Sequence, residues 1–424
     1  MAVTESETAV VWRAITVRVL LCTLAVISSS LAGDYDVSTT VSLVASRSGS
    51  HAAEGKDELA TSLLTPFVRW DAVYFLSIAQ RGYIYEQEFA FFPGLPTLMR
   101  AVAACIQFHA SLGEQPALIL AGLIISNASF VGAAVVLYRL GCRILRDERL
   151  AFRAAILFTI TPAGLFMSSI YTESLFALLS FSGMLYFTKS RYLPAALLWA
   201  AATSVRANGM LHAGFFVWEF IVLPISSQKK VDIRALILGT VRAAGYGAIA
   251  IAPFVAFQMY AYNLFCQRSG VAQRSWCGRQ LPLIYSFVQK EYWNNGFLSY
   301  YEVKQIPNFI LAAPVFAISI TGVIDFMSQN PTSFFSLGIL SKQRTDLQAP
   351  YIYLWAFMTL YCATMMHVQV VVRFFTSVPS FYWFAAKIAS GQVGTRWATK
   401  AVVPYFLLYG MVTTLLFANF LPPA

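Results

Sequence analysis

The residues able to do chemistry in this chain are few and sit in short polar breaks within long apolar runs. Arg69-Trp70-Asp71 is the sharpest of them. A Trp at a membrane interface seats its loop among headgroups, and the acid that follows it is placed to take a proton from an attacking hydroxyl. The plainer reading is that Asp71 caps a short interfacial helix or pairs with Arg69. Glu86 and Glu88 follow, ahead of Phe89-Ala90-Phe91-Phe92-Pro93. Tyr171-Thr172-Glu173 is a second acidic turn, also readable as an N-cap at Thr172 with an acid in the first helical turn. Arg206-Ala207-Asn208-Gly209 interrupts an apolar run. Arg206 needs an acidic partner such as Glu173 or Asp71, or a polar ligand such as phosphate. His367-Val368-Gln369 and Arg373 end another apolar run, and a planar guanidinium there suits phosphate oxygens or snorkels to headgroups.

A fifth stretch is rich in rings and amides. It holds Trp276, Tyr292-Trp293-Asn294 and Lys304-Gln305. Aromatic faces beside amides suit a sugar, whose C–H face packs on rings while its hydroxyls find polar partners. An interfacial aromatic belt is the competing reading. Cys266 and Cys277 alone among the six cysteines share a loop, and a disulfide between them fits an oxidising compartment. No His-Glu-x-x-His, metal-spaced Cys/His set or Gly-rich phosphate loop is present, so no metal and no ATP engine is expected. Asn127-Ala128-Ser129 matches a glycosylation sequon but falls inside an apolar run.

The elements positioning these groups follow from composition. Of 424 residues, 58% are hydrophobic and 12% charged, far from soluble usage. At roughly 20 residues per crossing that supplies about ten spans. We read eleven: Trp12 to Ala32, Gln115 to Tyr138, Leu150 to Ile170, Thr172 to Thr188, Leu193 to Val205, Gly209 to Ile225, Ala235 to Tyr260, Ile306 to Met327, Tyr351 to Met366, Phe374 to Ile388 and Ala401 to Phe420. Ser30-Leu31-Ala32 also resembles a signal-peptidase site, which makes a cleaved leader the alternative for the first. Gly33 to Leu64 reads as a polar loop, and Phe89 to Phe108 as an interfacial or re-entrant helix.

The net charge of +10 follows from basic cytosolic loops rather than nucleic acid. Arg139, Arg143, Arg146, Arg149 and Arg153 set one side, with Lys189, Arg191, Lys229, Lys230, Arg234, Lys342, Arg344, Lys387, Arg396 and Lys400. A full span at Phe89 to Phe108 would put the five-arginine loop on the wrong face. Residues 33–114 and 261–305 then form luminal loops of a single domain, 1–424. Nearly every unusual polar group falls on that luminal face, where membrane bundles keep polar groups for function.

In this order the motifs resemble the GPI mannosyltransferase 2 (Pig-V) family. The resemblance runs from about Pro66 to Arg373. It rests on Arg69-Trp70-Asp71, Ile78-Ala79 with Gly82-Tyr83, Glu86 with Phe89-Ala90-Phe91-Phe92-Pro93, Tyr171-Thr172-Glu173, Arg206-Ala207-Asn208-Gly209, Tyr262-Asn263 with Phe265-Cys266, Trp276-Cys277, Tyr292-Trp293-Asn294, Gln305-Ile306-Pro307-Asn308-Phe309 and His367-Val368-Gln369 with Arg373. It implies an all-α polytopic bundle of GT-C type in the endoplasmic reticulum membrane. It implies dolichyl-phosphate-mannose as donor and transfer of the second, α1,6-linked mannose to a mannosylated GPI lipid. It also implies a luminal acid near Asp71 and, in some members, a small accessory membrane subunit. The expected mechanism is an inverting displacement with Asp71 as base. Arg373 and Arg206, helped by His367 or Lys304, would steady the phosphate, while Arg69, Trp70, Glu86, Glu88, Glu173, Asn208, Gln369 and the large loop would line the substrate. A lipid or sugar transporter, or a non-catalytic transferase subunit, are the competing classes.

Overall fold

The computed structural model describes residues 5–32, 63–110, 112–227, 232–267, 274–329, 331–340 and 347–422. Within them the chain is helical, with no strand. The expected polar loop at Gly33 to Leu64 lies outside the described residues except at its last two positions, as do Lys229, Lys230, Lys342 and Arg344.

Apolar segments become helices because a membrane offers backbone groups no other partner. The main ones are α1 (Glu5–Leu31), α2 (Ala72–Arg81), α3 (Gly94–His109), α4 (Glu114–Leu145), α5 (Glu148–Thr159), α6 (Glu173–Phe187) and α7 (Tyr192–Val205). Then come α8 (Ala207–Ser226), α9 (Ile233–Phe265), α10 (Ile284–Glu291), α11 (Ile306–Gln329), α12 (Ala349–Thr364), α13 (Pro379–Ala389) and α14 (Arg396–Ala418). Six are long and apolar enough to cross a membrane: α1, α4, α8, α9, the α11 segment and α14. The other five expected spans are shorter. Helix α6 has 15 residues, 11 of them buried, and packs between α4 and α7. A helix sheathed by its neighbours need not match the bilayer alone.

The expected span Leu150 to Ile170 is the clearest departure. Its helix stops at Thr159, Pro162 follows, and Gly164 turns left-handed at φ +51°. A Cβ on Gly164 would lie 2.4 Å from Thr413 Oγ1, so α14 approaches closely there. Unwound backbone inside a bundle needs side-chain donors. Arg18 of α1 supplies two, to the Gly164 carbonyl at 2.9 Å and the Thr159 carbonyl at 3.1 Å. Ser126 donates to Ser169, Asn127 to Ser168 and Thr413 to Pro162 carbonyls. The first helix is therefore built into the bundle through a buried arginine and packs on α4 and α14.

Helix α3 follows Pro93, runs 16 residues and packs on α4 and α7. At that length it is not one of the six helices long and apolar enough to cross a membrane. The bundle has two distinct ends. At one, Arg139 donates two hydrogen bonds to the Glu7 carboxylate, each at 2.7 Å, and the Tyr138 hydroxyl donates to Glu148 at 2.7 Å. At the other, Asn419 donates to Ser28 at 2.6 Å and Trp70 stacks on Phe420 at 4.9 Å. The basic α4–α5 turn marks the first end; the conspicuous polar motifs gather at the second.

Candidate functional site

The chain enters the site through a 3-10 turn at Thr65–Phe67. Trp70 then adopts φ +55°, a strained conformation for a bulky residue, and reverses the chain so that Asp71 stands at the mouth of α2. The turn is held at three points. Trp70 stacks on Phe420, fully buried Arg69 lies 5.5 Å from the same ring, and the Asp71 amide donates to the Tyr171 hydroxyl at 2.9 Å. That hydroxyl points back to the Arg69 carbonyl at 3.4 Å. Trp70 and Arg69 thus anchor the turn against the end of α14. Asp71 makes no side-chain cap to α2.

The Asp71 carboxylate meets Arg373 instead, accepting from its Nη2 at 3.1 Å. Arg373 also donates through Nε to Glu173 at 2.7 Å, and Arg206 reaches the same Glu173 oxygen at 3.1 Å. Four charges from four distant segments form one neutral network. Glu173 is its buried centre at 0% side-chain exposure, while Asp71 is the open end at 28%. The second Glu173 oxygen, buried, has no partner among the described residues. Rings wall the cations: Arg373 lies 4.7 Å from Phe166 and 4.8 Å from Tyr171, and Arg206 lies 4.4 Å from Phe374. A guanidinium, planar and weakly hydrated, packs flat on such rings more readily than a compact ammonium. Of the competing readings, Arg206 takes the Glu173 pairing, Arg373 turns inward rather than snorkelling, and Thr172 makes no side-chain cap.

The other two acids sit elsewhere. Glu88 pairs with Arg81 and accepts from the Ile84 and Tyr85 amides at 2.8 and 3.0 Å, so it shapes its own loop. Glu86 accepts from Trp276 Nε1 at 2.9 Å and Tyr292 Oη at 3.3 Å, with Arg274 at 3.6 Å. It therefore clasps the large loop onto the first. Burial, with the Glu86 charge, holds the Tyr292 phenol above its usual range. Cys266 and Cys277 form a disulfide, with Cα atoms 5.6 Å apart, beside buried Trp276.

Between clasp and network lies an aromatic patch. Tyr74, one turn after Asp71, stacks on Phe91 at 4.6 Å and meets the edge of Trp293 at 6.2 Å. Burial, then the charges of Asp71 and Glu88, hold the Tyr74 phenol above its usual range, so it stays a donor. Trp293 Nε1 is buried without a partner among the described residues. His367 bonds the Trp293 carbonyl through Nε2 at 2.8 Å and stacks on Tyr300 at 4.4 Å. Burial lowers its imidazole below the usual value, so it is neutral near pH 7 and serves the loop rather than an anion. Lys304 is exposed and paired with Glu302 at 2.6 Å, outside the network. Gln305 accepts from Asn308 at 2.7 Å, and Asn294 is an exposed left-handed residue whose carbonyl takes the Ser299 hydroxyl. Asn208 follows Arg206 in a 3-10 turn, half-buried. The buried Gln369 carbonyl oxygen has no partner among the described residues.

Sequence reading assigned no role to Tyr171, Tyr74, Phe166 or Arg81. Tyr171 adjoins the acidic turn it serves, and Tyr74 lies one helical turn from Asp71; spacing marked both as near, without telling which way they face.

A neutral network of two carboxylates and two guanidiniums, open at one acid and flanked by rings, suits a phosphorylated sugar and an incoming hydroxyl. Comparison with known families decides the class. The family model described as Mannosyltransferase (PIG-V) matches residues 7–424. The chain belongs to that family. Relatives agree: GPI alpha-1,6-mannosyltransferase 2 of Rattus norvegicus is 32% identical over 86% of this chain and 89% of its own. The Homo sapiens protein of the same name has the same identity and coverage. GPI mannosyltransferase 2 of Chaetomium globosum is 33% identical over 94% of this chain and 92% of its own. Among solved structures, an Archaeoglobus fulgidus oligosaccharyltransferase tethered with an acceptor peptide is similar over 97% of this chain but 55% of its own, at 15% identity and a TM-score of 0.48. This PIG-V family chain is thus a multi-pass membrane mannosyltransferase of GPI-anchor synthesis.

Proposed function

We propose that the chain transfers mannose from dolichyl-phosphate-mannose to the 6-hydroxyl of the first mannose on a GPI precursor, at the luminal face of the endoplasmic reticulum. The observation that carries this is the Asp71–Arg373–Glu173–Arg206 network, in which an accessible carboxylate adjoins a cation fixed by a second, buried carboxylate.

The acceptor hydroxyl gives its proton to Asp71 as its oxygen bonds the anomeric carbon. The bond from that carbon to the phosphate oxygen breaks, and its electrons leave with dolichyl phosphate. Attack opposite a β-linked phosphate gives the α product. Arg373 keeps Glu173 through Nε and turns its other face from Asp71 to the developing phosphate charge, freeing the carboxylate as base. A fixed guanidinium supplies this charge, so no metal or cofactor enters the scheme. Tyr74 and Trp293 offer donors and ring faces to the sugar. The disulfide beside the Glu86 clasp is in keeping with an oxidising lumen.

The test is transfer by the purified chain from labelled dolichyl-phosphate-mannose to a mannosylated GPI precursor. Product formed without added partners, with the new linkage cleaved by an α1,6-specific mannosidase, supports the enzyme. Product only on addition of a second membrane protein would make this chain a subunit, and lipid movement without product would make it a transporter.

A further inference from the structure

The opposite end of the bundle holds a cavity of about 460 Å³, between the ends of α4 and α6, the second half of α8 and the start of α12. Two unusual features meet at it, a π-helical turn and a buried hydroxyl without a partner among the described residues. Arg146 and Ser190, both lining it, close the ends of α4 and α6 in the left-handed conformation usual for helix caps, at φ +55° and +56°. Trp218 and Glu219 line it from a π-helical turn, Trp218–Val222, that interrupts α8. Gly338 is left-handed at φ +85°, and a Cβ there would lie 2.3 Å from the Trp218 ring. Tyr351 borders the cavity at 1% exposure, and its buried hydroxyl has no partner among the described residues. A π turn inside a helix recurs at functional sites, and a buried hydroxyl without a partner calls for one.

The chemistry of the lining favours an anion. Arg143 donates Nε and one Nη to the Thr188 carbonyl at 3.0 and 2.8 Å, which fixes its guanidinium and leaves the other Nη. Arg146 has no carboxylate partner among the described residues. The single acid, Glu219, is already engaged by the Tyr192 hydroxyl at 2.8 Å. Two guanidiniums and neutral hydroxyls therefore face one occupied carboxylate, and fork-shaped donors match phosphate oxygens.

We infer that this cavity binds a phosphate-bearing group, presented by a membrane lipid or free in solution, at a site separate from the transfer centre. The full chain in detergent is titrated with dioctanoyl phosphatidic acid, with dioctanoylglycerol as the same chains lacking phosphate, and with inorganic phosphate. Phosphatidic acid or inorganic phosphate is expected to bind, and whichever binds identifies the source. Arg146→Gln should weaken that binding by about tenfold, the worth of a charge-assisted hydrogen bond. Tyr351→Phe should weaken it less. Both should unfold at the wild-type temperature and keep wild-type transfer, which separates this site from Arg373. Equal binding of dioctanoylglycerol, or phosphate binding unchanged in both variants, would overturn the assignment.

Discussion

Asp71 and Arg373 lie 302 positions apart in sequence and meet at 3.1 Å. The pair matters because Glu173, not Asp71, is the committed counter-ion: buried, shared by two arginines and out of solvent. Removing a buried partner strands the charges it neutralised. Glu173→Gln should therefore cost about 3–5 kcal/mol of stability, read as a lowered unfolding temperature with loss of activity. Arg373→Lys keeps the charge but not the fork, so it cannot hold Glu173 while meeting a phosphate. It should retain the fold and lose roughly 10²-fold or more in kcat, with a smaller change in KM. His367 titrates in a predictable direction. Burial lowers its folded value below the ordinary 6.5, so the unfolded state takes up the proton first. Stability should fall as pH drops below about 6.5, and His367→Gln should flatten that part of the curve. The acids, the arginines and the rings of the large loop were legible in the sequence. Their division of labour was not, since Glu86, Glu88 and Asp71 are all acids near aromatics and differ only in which donors the fold brings to them.

Among the elements, helix existence was plain from hydropathy and helix ends were not. Pro162 and Gly164 stop α5 inside what reads as a continuous apolar run, because Gly164 lets α14 approach and neighbouring side chains satisfy the freed carbonyls. Nothing local in Leu150 to Ile170 announces those donors, which come from α1, α4 and α14. Arg18 is the most telling: as sequence it reads as a charge at the front of a span, but it is a buried donor to two carbonyls. Arg18→Leu keeps the apolar character of α1 and removes the side-chain donor of both carbonyls, which leaves the Thr159 carbonyl unpaired while Gly164 still opens its 3-10 turn. It should lower the unfolding temperature of the purified chain by an amount equal to about 1–3 kcal/mol, one unsatisfied buried acceptor. An unchanged unfolding temperature would detach α1 from the bundle's core.

For the whole molecule, the sorting of charge was the legible part. The basic turn with Arg139, Arg143 and Arg146 ends up at one end with Glu7 and Glu148, and the mixed-charge network lies at the end shared by Ser28, Asn419 and the disulfide. Loop charge reports sidedness because it acts during insertion. It does not report which loops pack together; the Glu86 clasp to Trp276, 190 positions away, is a tertiary choice. The account stands most directly on Asp71 as the base. In a variant of wild-type unfolding temperature, Asp71→Asn keeps the size of the side chain and its place beside Arg373 but cannot accept the proton. Transfer from labelled dolichyl-phosphate-mannose should then fall by ~10²–10⁴-fold. Near-wild-type transfer by that folded variant would contradict it.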